Sequence, residues 1–80
     1  YARAIAAYRQ DRVEDSLRMV DTLLSEEPQN PYFHELKGQM LMDYGRLDPA
    51  IQSLRRALAL KKDMPLVRVM LAHALIEQSG

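Results

Sequence analysis

Slid along itself by 34 positions, the chain falls into register. Ala4, Gly38 and Ala72 share one column, and Ala7, Leu41 and Leu75 share another. Val13 falls on Leu47, Ser16 on Ala50, Leu17 on Ile51, Val20 on Leu54 and Leu24 on Leu58. Arg12 falls on Arg46, and Pro31 on Pro65. Identities are few, but size and polarity agree at most of the apolar columns. Self-similarity at such a period marks a supersecondary unit that cannot bury its apolar face alone and does so by stacking on its neighbours. Two nearly whole units and the first helix of a third fit into the chain.

The middle unit shows what each unit is made of. Asn30-Pro31 is a helix start, a side-chain cap followed by the residue best suited to the first helical position. Phe33, Leu36, Met40, Leu41 and Tyr44 then recur at the spacing of one helix face. Gly45 ends that helix, because glycine accepts the left-handed conformation that helix ends commonly use, so a positive φ is expected there. Asp48-Pro49 repeats the start signal, and Ala50, Ile51, Leu54, Ala57 and Leu58 form a second stripe. Gly38, Ala50 and Ala57 are small where two helices must come close, so Gly38 is expected to face Ala50 or Ala57.

These residues carry a resemblance. Gly38, Leu41, Gly45, Leu47, Ala50, Leu54, Ala57 and Leu60 match the spaced signature of the tetratricopeptide repeat, a helix-turn-helix unit of about 34 residues. The chain departs from it at Lys37 and His34, where the family prefers leucine and a large aromatic, and at Lys62, where it prefers proline. The resemblance implies an all-α solenoid fragment of five antiparallel helices, over about 1–10, 12–27, 31–44, 48–62 and 64–78. Residues 1–30 would be a partial first repeat, 31–64 the second and 65–80 the inner helix of a third. The chain begins and ends inside repeat units, as expected of a piece cut from a longer protein.

The first start signal inside this frame is Asp11-Arg12-Val13-Glu14, an acidic cap with glutamate three positions on. Val13, Leu17, Val20 and Leu24 follow at helical spacing, and Glu14 can pair with Arg18. Residues 11–30 carry six acids against two arginines, whereas residues 46–62 carry five bases against one acid. Stacked outer helices would bring these segments together, with Asp21 near Arg55 or Arg56; alternatively both are solvated faces. In the last helix Leu66, Val67, Val69, Met70, Leu71, Ala72, Ala74, Leu75 and Ile76 leave little polar face, a pattern that asks for burial on more than one side.

Composition excludes several classes. The formal net charge is zero, so no global pull acts towards nucleic acid or an anionic membrane. No apolar run approaches the ~20 residues that span a bilayer, and no signal-peptide pattern opens the chain. Without cysteine there is no disulfide framework and no thiolate metal site. His34-Glu35 invites a zinc-protease reading, but the second histidine such a helix needs four positions on is replaced by Gly38, and His73 lies on another helix. No catalytic residue, metal site or cofactor is expected in this chain. A DNA-recognition helix needs basic and amide side chains at its start, whereas Asp48-Pro49-Ala50-Ile51 offers an acid and apolar groups. Arg55, Arg56, Lys61 and Lys62 then read as a charged outer face, and no nucleic-acid partner is expected.

Binding a protein or peptide segment is what the repeat resemblance implies, in a groove lined by the inner helices. Carried over residue by residue, the groove positions are Tyr32, Glu35, Gln39, Met42 and Asp43 in the second repeat. Leu66, Val69, His73, Ile76 and Glu77 follow in the third, and Ile5, Tyr8 and Arg9 precede them in the first. Apolar groups edged by Glu35, Asp43 and Glu77 would favour an apolar or basic segment. That segment would belong either to another molecule or to the parent protein itself.

A narrower resemblance rests on NPYFHELKGQMLMDYGR and the following RRALAL. These runs are similar to the C-terminal repeats of bacterial periplasmic zinc metalloproteases of the BepA (YfgC) type, in which an HExxH protease domain precedes the repeats. That implies a periplasmic location and a role in outer-membrane protein quality control. The repeats would engage substrates or assembly partners, or pack on the protease domain, with zinc confined to that domain. A structural scaffold of some other repeat protein is the alternative. Finally, the family's geometry turns Val67, Met70 and Ala74 onto the second repeat and Arg68, Leu71, Ala72 and Leu75 towards an outer helix that the chain lacks. Uncovered Leu71 and Leu75 would drive a homodimer, or leave a monomer with a frayed last helix.

Overall fold

The computed structural model describes the backbone of residues 2–80 and the side chains of residues 12–80. Four α-helices follow one another: α1 (Ala2–Glu26), α2 (Pro31–Asp43), α3 (Leu47–Leu60) and α4 (Pro65–Ser79). No strand occurs among the described residues. Each helix packs on the next, and α2 also touches α4.

The expected five helices are four, because the first two are continuous. Register with the second repeat gives the reason. Asp11 stands where that repeat has Gly45, and Glu14-Asp15 where it has Asp48-Pro49. The capping-box pattern can start a helix, but nothing near residue 11 stops the preceding one. A left-handed aspartate is disfavoured and no proline intervenes.

The α2–α3 turn is built the other way. Asn30 caps α2 by accepting from the Tyr32 backbone N–H at 3.0 Å, with Pro31 at the first helical position. At its far end the Gly45 N–H donates to the Met42 carbonyl at 3.0 Å and the Arg46 N–H to the Leu41 carbonyl at 2.8 Å. This is a Schellman closure, and it requires the left-handed residue between them, Gly45 with φ 76°. The chain re-enters a helix at once. Arg46 is the N-cap of α3, so Asp48 lies in the first turn instead of capping it.

Packing follows the expected stripes. Ala50, Ile51, Leu54 and Ala57 of α3 are buried, and Leu54 and Ala57 join Met64 and Val67 in a core between α3 and α4. Gly38 marks a close approach of α2 to α3. A Cβ built there would lie 2.6 Å from Leu54 Cδ2, 2.8 Å from Leu54 Cγ and 3.5 Å from the Ala50 carbonyl oxygen. The small residue thus makes room for a large one, Leu54, and the expected Ala50 contributes only backbone. On the other side of α2, Val20 of α1 is buried while Val13, Leu17 and Leu24 are half-buried.

Charge pairing meets the expectation at one point, where Glu14 of the acidic segment reaches Arg46 of the basic one, and departs from it at Asp21. Among the described residues, α1 packs on α2 and not on α3. Asp21 accordingly pairs with Lys37 of α2, 2.7 Å away, and not with Arg55 or Arg56. Glu14 reaches Arg46 at 3.3 Å, and Arg18 turns to Asp15 instead of Glu14. Two of the three departures from the repeat signature have local jobs. Lys37 ties α2 to α1, and His34 Nε2 lies 2.8 Å from the Pro28 carbonyl, holding the α1–α2 loop against α2.

Candidate functional site

On α4, two opposite faces behave differently. Val67 and Ala74 are buried, and Met70 and Leu71 pack against the α3–α4 core. The opposite row is open: Leu66 is 60% exposed, Val69 55% and Ile76 69%. His73 and Glu77 are exposed beside them. Leu71 and Leu75, expected to be uncovered, are half-buried instead. The reason is phase: Leu71 follows Met70 and Val67 onto the core side, so the exposed apolar groups of α4 belong to the groove row.

The same row one repeat earlier runs Tyr32, Glu35, Gln39 and Met42 along α2. Its two ends are fastened. Lys61, just after α3, donates from Nζ to the Tyr32 hydroxyl and sits 4.9 Å from the centre of its ring. The Tyr32 hydroxyl, and then the Tyr32 charge, hold the Lys61 ammonium above the ordinary lysine value, and Asp63 adds a smaller push in the same direction. Met42, expected to form part of the groove floor, is half-buried against the α3–α4 core, so much of its surface is taken by packing. Between these anchors Glu35 is half-buried and Gln39 exposed, with Asp43 exposed at the end of the helix. The side chains of Ile5, Tyr8 and Arg9 lie outside the described residues.

The structure therefore sets two unlike rows on neighbouring helices that begin at the same end of the molecule. The α4 row is mainly apolar, and the α2 row sets Glu35 and Gln39 between an exposed Tyr32 and a half-buried Met42. Among the described residues no ion pair involves Glu35, Asp43 or Glu77. No cluster of three or more histidine and acidic groups suited to a metal ion occurs among the described residues. His34 faces a backbone carbonyl and His73 stands apart on α4. No helix among the described residues is long and apolar enough to cross a membrane.

A family profile described as Tetratricopeptide repeat matches residues 1–65. The chain belongs to the tetratricopeptide-repeat family. Tetratricopeptide repeats serve in general as protein-interaction modules, and at that level the class of function follows from membership. No curated protein and no solved structure matches the chain.

Sequence reading missed two features of this surface. One is the Lys61–Tyr32 contact. A lysine 29 positions after a tyrosine carries no signal until α3 is known to run back along α2. The other is the loss of Met42 to the core, which repeat position alone does not reveal because groove and core meet along that edge of α2.

Proposed function

We propose that this tetratricopeptide-repeat module binds a segment of another protein along the α2–α4 row. The observation that carries the reading is the exposure of Leu66, Val69 and Ile76 on the face of α4 opposite its core face. Fully burying one such side chain is worth about 1.5–3 kcal/mol, so covering this row supplies a driving force for association. Self-association through Leu71 and Leu75 loses its basis, since both are half-buried within the chain.

The test is selection of a random peptide library on the 80-residue chain, with counter-screening on Val69→Asp plus Ile76→Asp. Both positions are exposed, so the paired variant keeps the core intact. Peptides enriched on the wild type and lost on the variant support the row as the binding surface. Peptides that bind both equally overturn it.

A narrower reading concerns the parent protein. We propose that the module serves a bacterial periplasmic zinc metalloprotease, engaging its substrates or assembly partners or packing on its protease domain. What supports this is the likeness of NPYFHELKGQMLMDYGR and RRALAL to the repeats of that protease type. The parent sequence upstream of Tyr1 tests it: an HExxH helix there supports the reading, and a parent with no such helix sinks it.

A further inference from the structure

The two rows differ in chemistry, and their difference specifies an occupant. The α4 row offers three exposed apolar side chains over eleven residues, Leu66 to Ile76, about 15 Å of helix at a rise of about 1.5 Å per step. The α2 row offers Glu35 and Gln39, with Asp43 at its end, and Glu77 lies at the end of the α4 row. Outside the rows Asp21 pairs with Lys37, Glu14 with Arg46 and Asp15 with Arg18, while the exposed Glu26, Glu27, Asp48 and Asp63 form no ion pair among the described residues and stay in water. The three acids of the rows have no such partner among the described residues. A ligand that covers them without bringing a cation leaves a desolvated, unpaired carboxylate, which is strongly unfavourable.

Backbone chemistry narrows the occupant further. An extended segment laid on the rows carries one unpaired N–H and one unpaired carbonyl at almost every residue, and these need partners once water is excluded. Within the rows the uncharged polar side chains able to serve are Gln39, His73 and the Tyr32 hydroxyl, too few for a segment of that length. A helix satisfies its own backbone groups and presents side chains at the same three- and four-residue spacing as Leu66, Val69, His73 and Ile76. Resting on the reading of these rows as the binding surface, we propose that they receive an amphipathic helix of a partner protein. Its apolar face lies on Leu66, Val69 and Ile76, and its flank carries lysine or arginine towards Glu35, Asp43 and Glu77.

Three synthetic 15-residue peptides, fluorescently labelled and titrated with the 80-residue chain, test this by anisotropy at low salt. One has a leucine row flanked by lysines, the second has glutamate for every lysine, and the third is the lysine peptide with a central proline. The lysine helix binds at least about tenfold tighter than the glutamate helix, a gap that narrows as salt screens the charges. The proline peptide loses binding. Ile76→Glu in the protein weakens the lysine helix, and Glu35→Lys with Asp43→Lys reverses the charge preference. Glu26→Lys with Glu27→Lys, on exposed acids at the end of α1, leaves the preference unchanged.

Outcomes separate the two claims. Tighter binding of the glutamate helix, abolished by Ile76→Glu, keeps the rows as the binding surface and overturns the chemistry. Full binding by the proline peptide overturns the helical occupant. Indifference of all three peptides to Ile76→Glu overturns both readings, and failure of all three to bind overturns the amphipathic-helix proposal. Circular dichroism of each variant confirms that helix content is retained.

Discussion

Two stretches of this chain carry the same repeat pattern, and only one of them bends. Residues 31–60 make a hairpin of two helices, whereas residues 2–26 make one unbroken helix. The apolar columns agree between them, and so do the start signals in part, since both have an acid ahead of the second stripe. What differs is the stop. Gly45 adopts φ 76° and lets three backbone N–H groups close on the carbonyls of α2. Asp11 occupies that column in the first repeat and stays helical. A helix continues by default, because each added residue gains a hydrogen bond at little further cost once the helix exists. A turn therefore needs a residue that ends a helix, and a cap alone does not supply one.

The sharpest way to break the hairpin is to fill its close approach at Gly38. Leu54 is fully buried against Gly38, so it has nowhere to retreat. Gly38→Leu is expected to cost about 1–3 kcal/mol or more by overpacking. For a domain of this size each kcal/mol lowers Tm by roughly 4–8 °C. A thermal melt indistinguishable from wild type would show that α2 and α3 do not meet there.

A smaller change tests the turn itself. No atom lies within 4 Å of a Cβ built on Gly45, so steric contact is not the issue and only the positive φ is. Gly45→Ala should cost about 1 kcal/mol, the left-handed penalty partly offset by a less flexible unfolded chain. An unchanged or raised Tm would mean the turn tolerates a right-handed residue. Running the comparison in reverse, Asp11→Gly with Asp15→Pro gives α1 the second repeat's stop and start. Amides around residues 11–16 should then exchange hydrogen faster than in the wild type, with only a modest loss of stability. Unaltered protection across that segment would show that the missing stop is not why α1 runs on.

Most of the fold was legible because its determinants are local. Pro31, Gly45 and Pro65 punctuate the chain, and the stripes through Leu41, Leu54 and Val67 keep one phase. The continuous α1 was misread because Asp11-Arg12-Val13-Glu14 looks like a boundary when only starts are counted. Ion pairing at Asp21 was misread for another reason. Asp21 and Arg56 have complementary charges, but which cation reaches an acid depends on which helix lies beside it, and α2 lies beside α1. The same limit applied to the surface rows. Repeat position named Ile76 and Met42 alike, yet Ile76 stands in solvent while Met42 leans on Leu54 and its neighbours, because α4 and α2 are packed to different depths.

The smallest expected effect concerns the start of α2. Tyr32 and its counterpart on α4, Leu66, are both exposed, but only Tyr32 is held, by Lys61. The Tyr32 hydrogen bond, with the Tyr32 charge next, raises the Lys61 pKa above its ordinary value of 10.5. A raised pKa in the folded state means the folded chain holds that proton more tightly than the unfolded one. The contribution is therefore fully present below the ordinary value of 10.5 and fades as pH rises through the raised value. Lys61 is fully exposed, so the effect on stability is small. Lys61→Met should lower Tm slightly at pH 8, and the two melting curves should converge once pH exceeds the raised pKa. Tyr32→Phe should reproduce the pH 8 decrease and add little to Lys61→Met, because both remove one contact. Fully additive decreases would mean the two side chains act independently. A gap between wild type and Lys61→Met that widens towards high pH would reverse the sign of the linkage, leaving Tyr32 with no more of an anchor than Leu66 has.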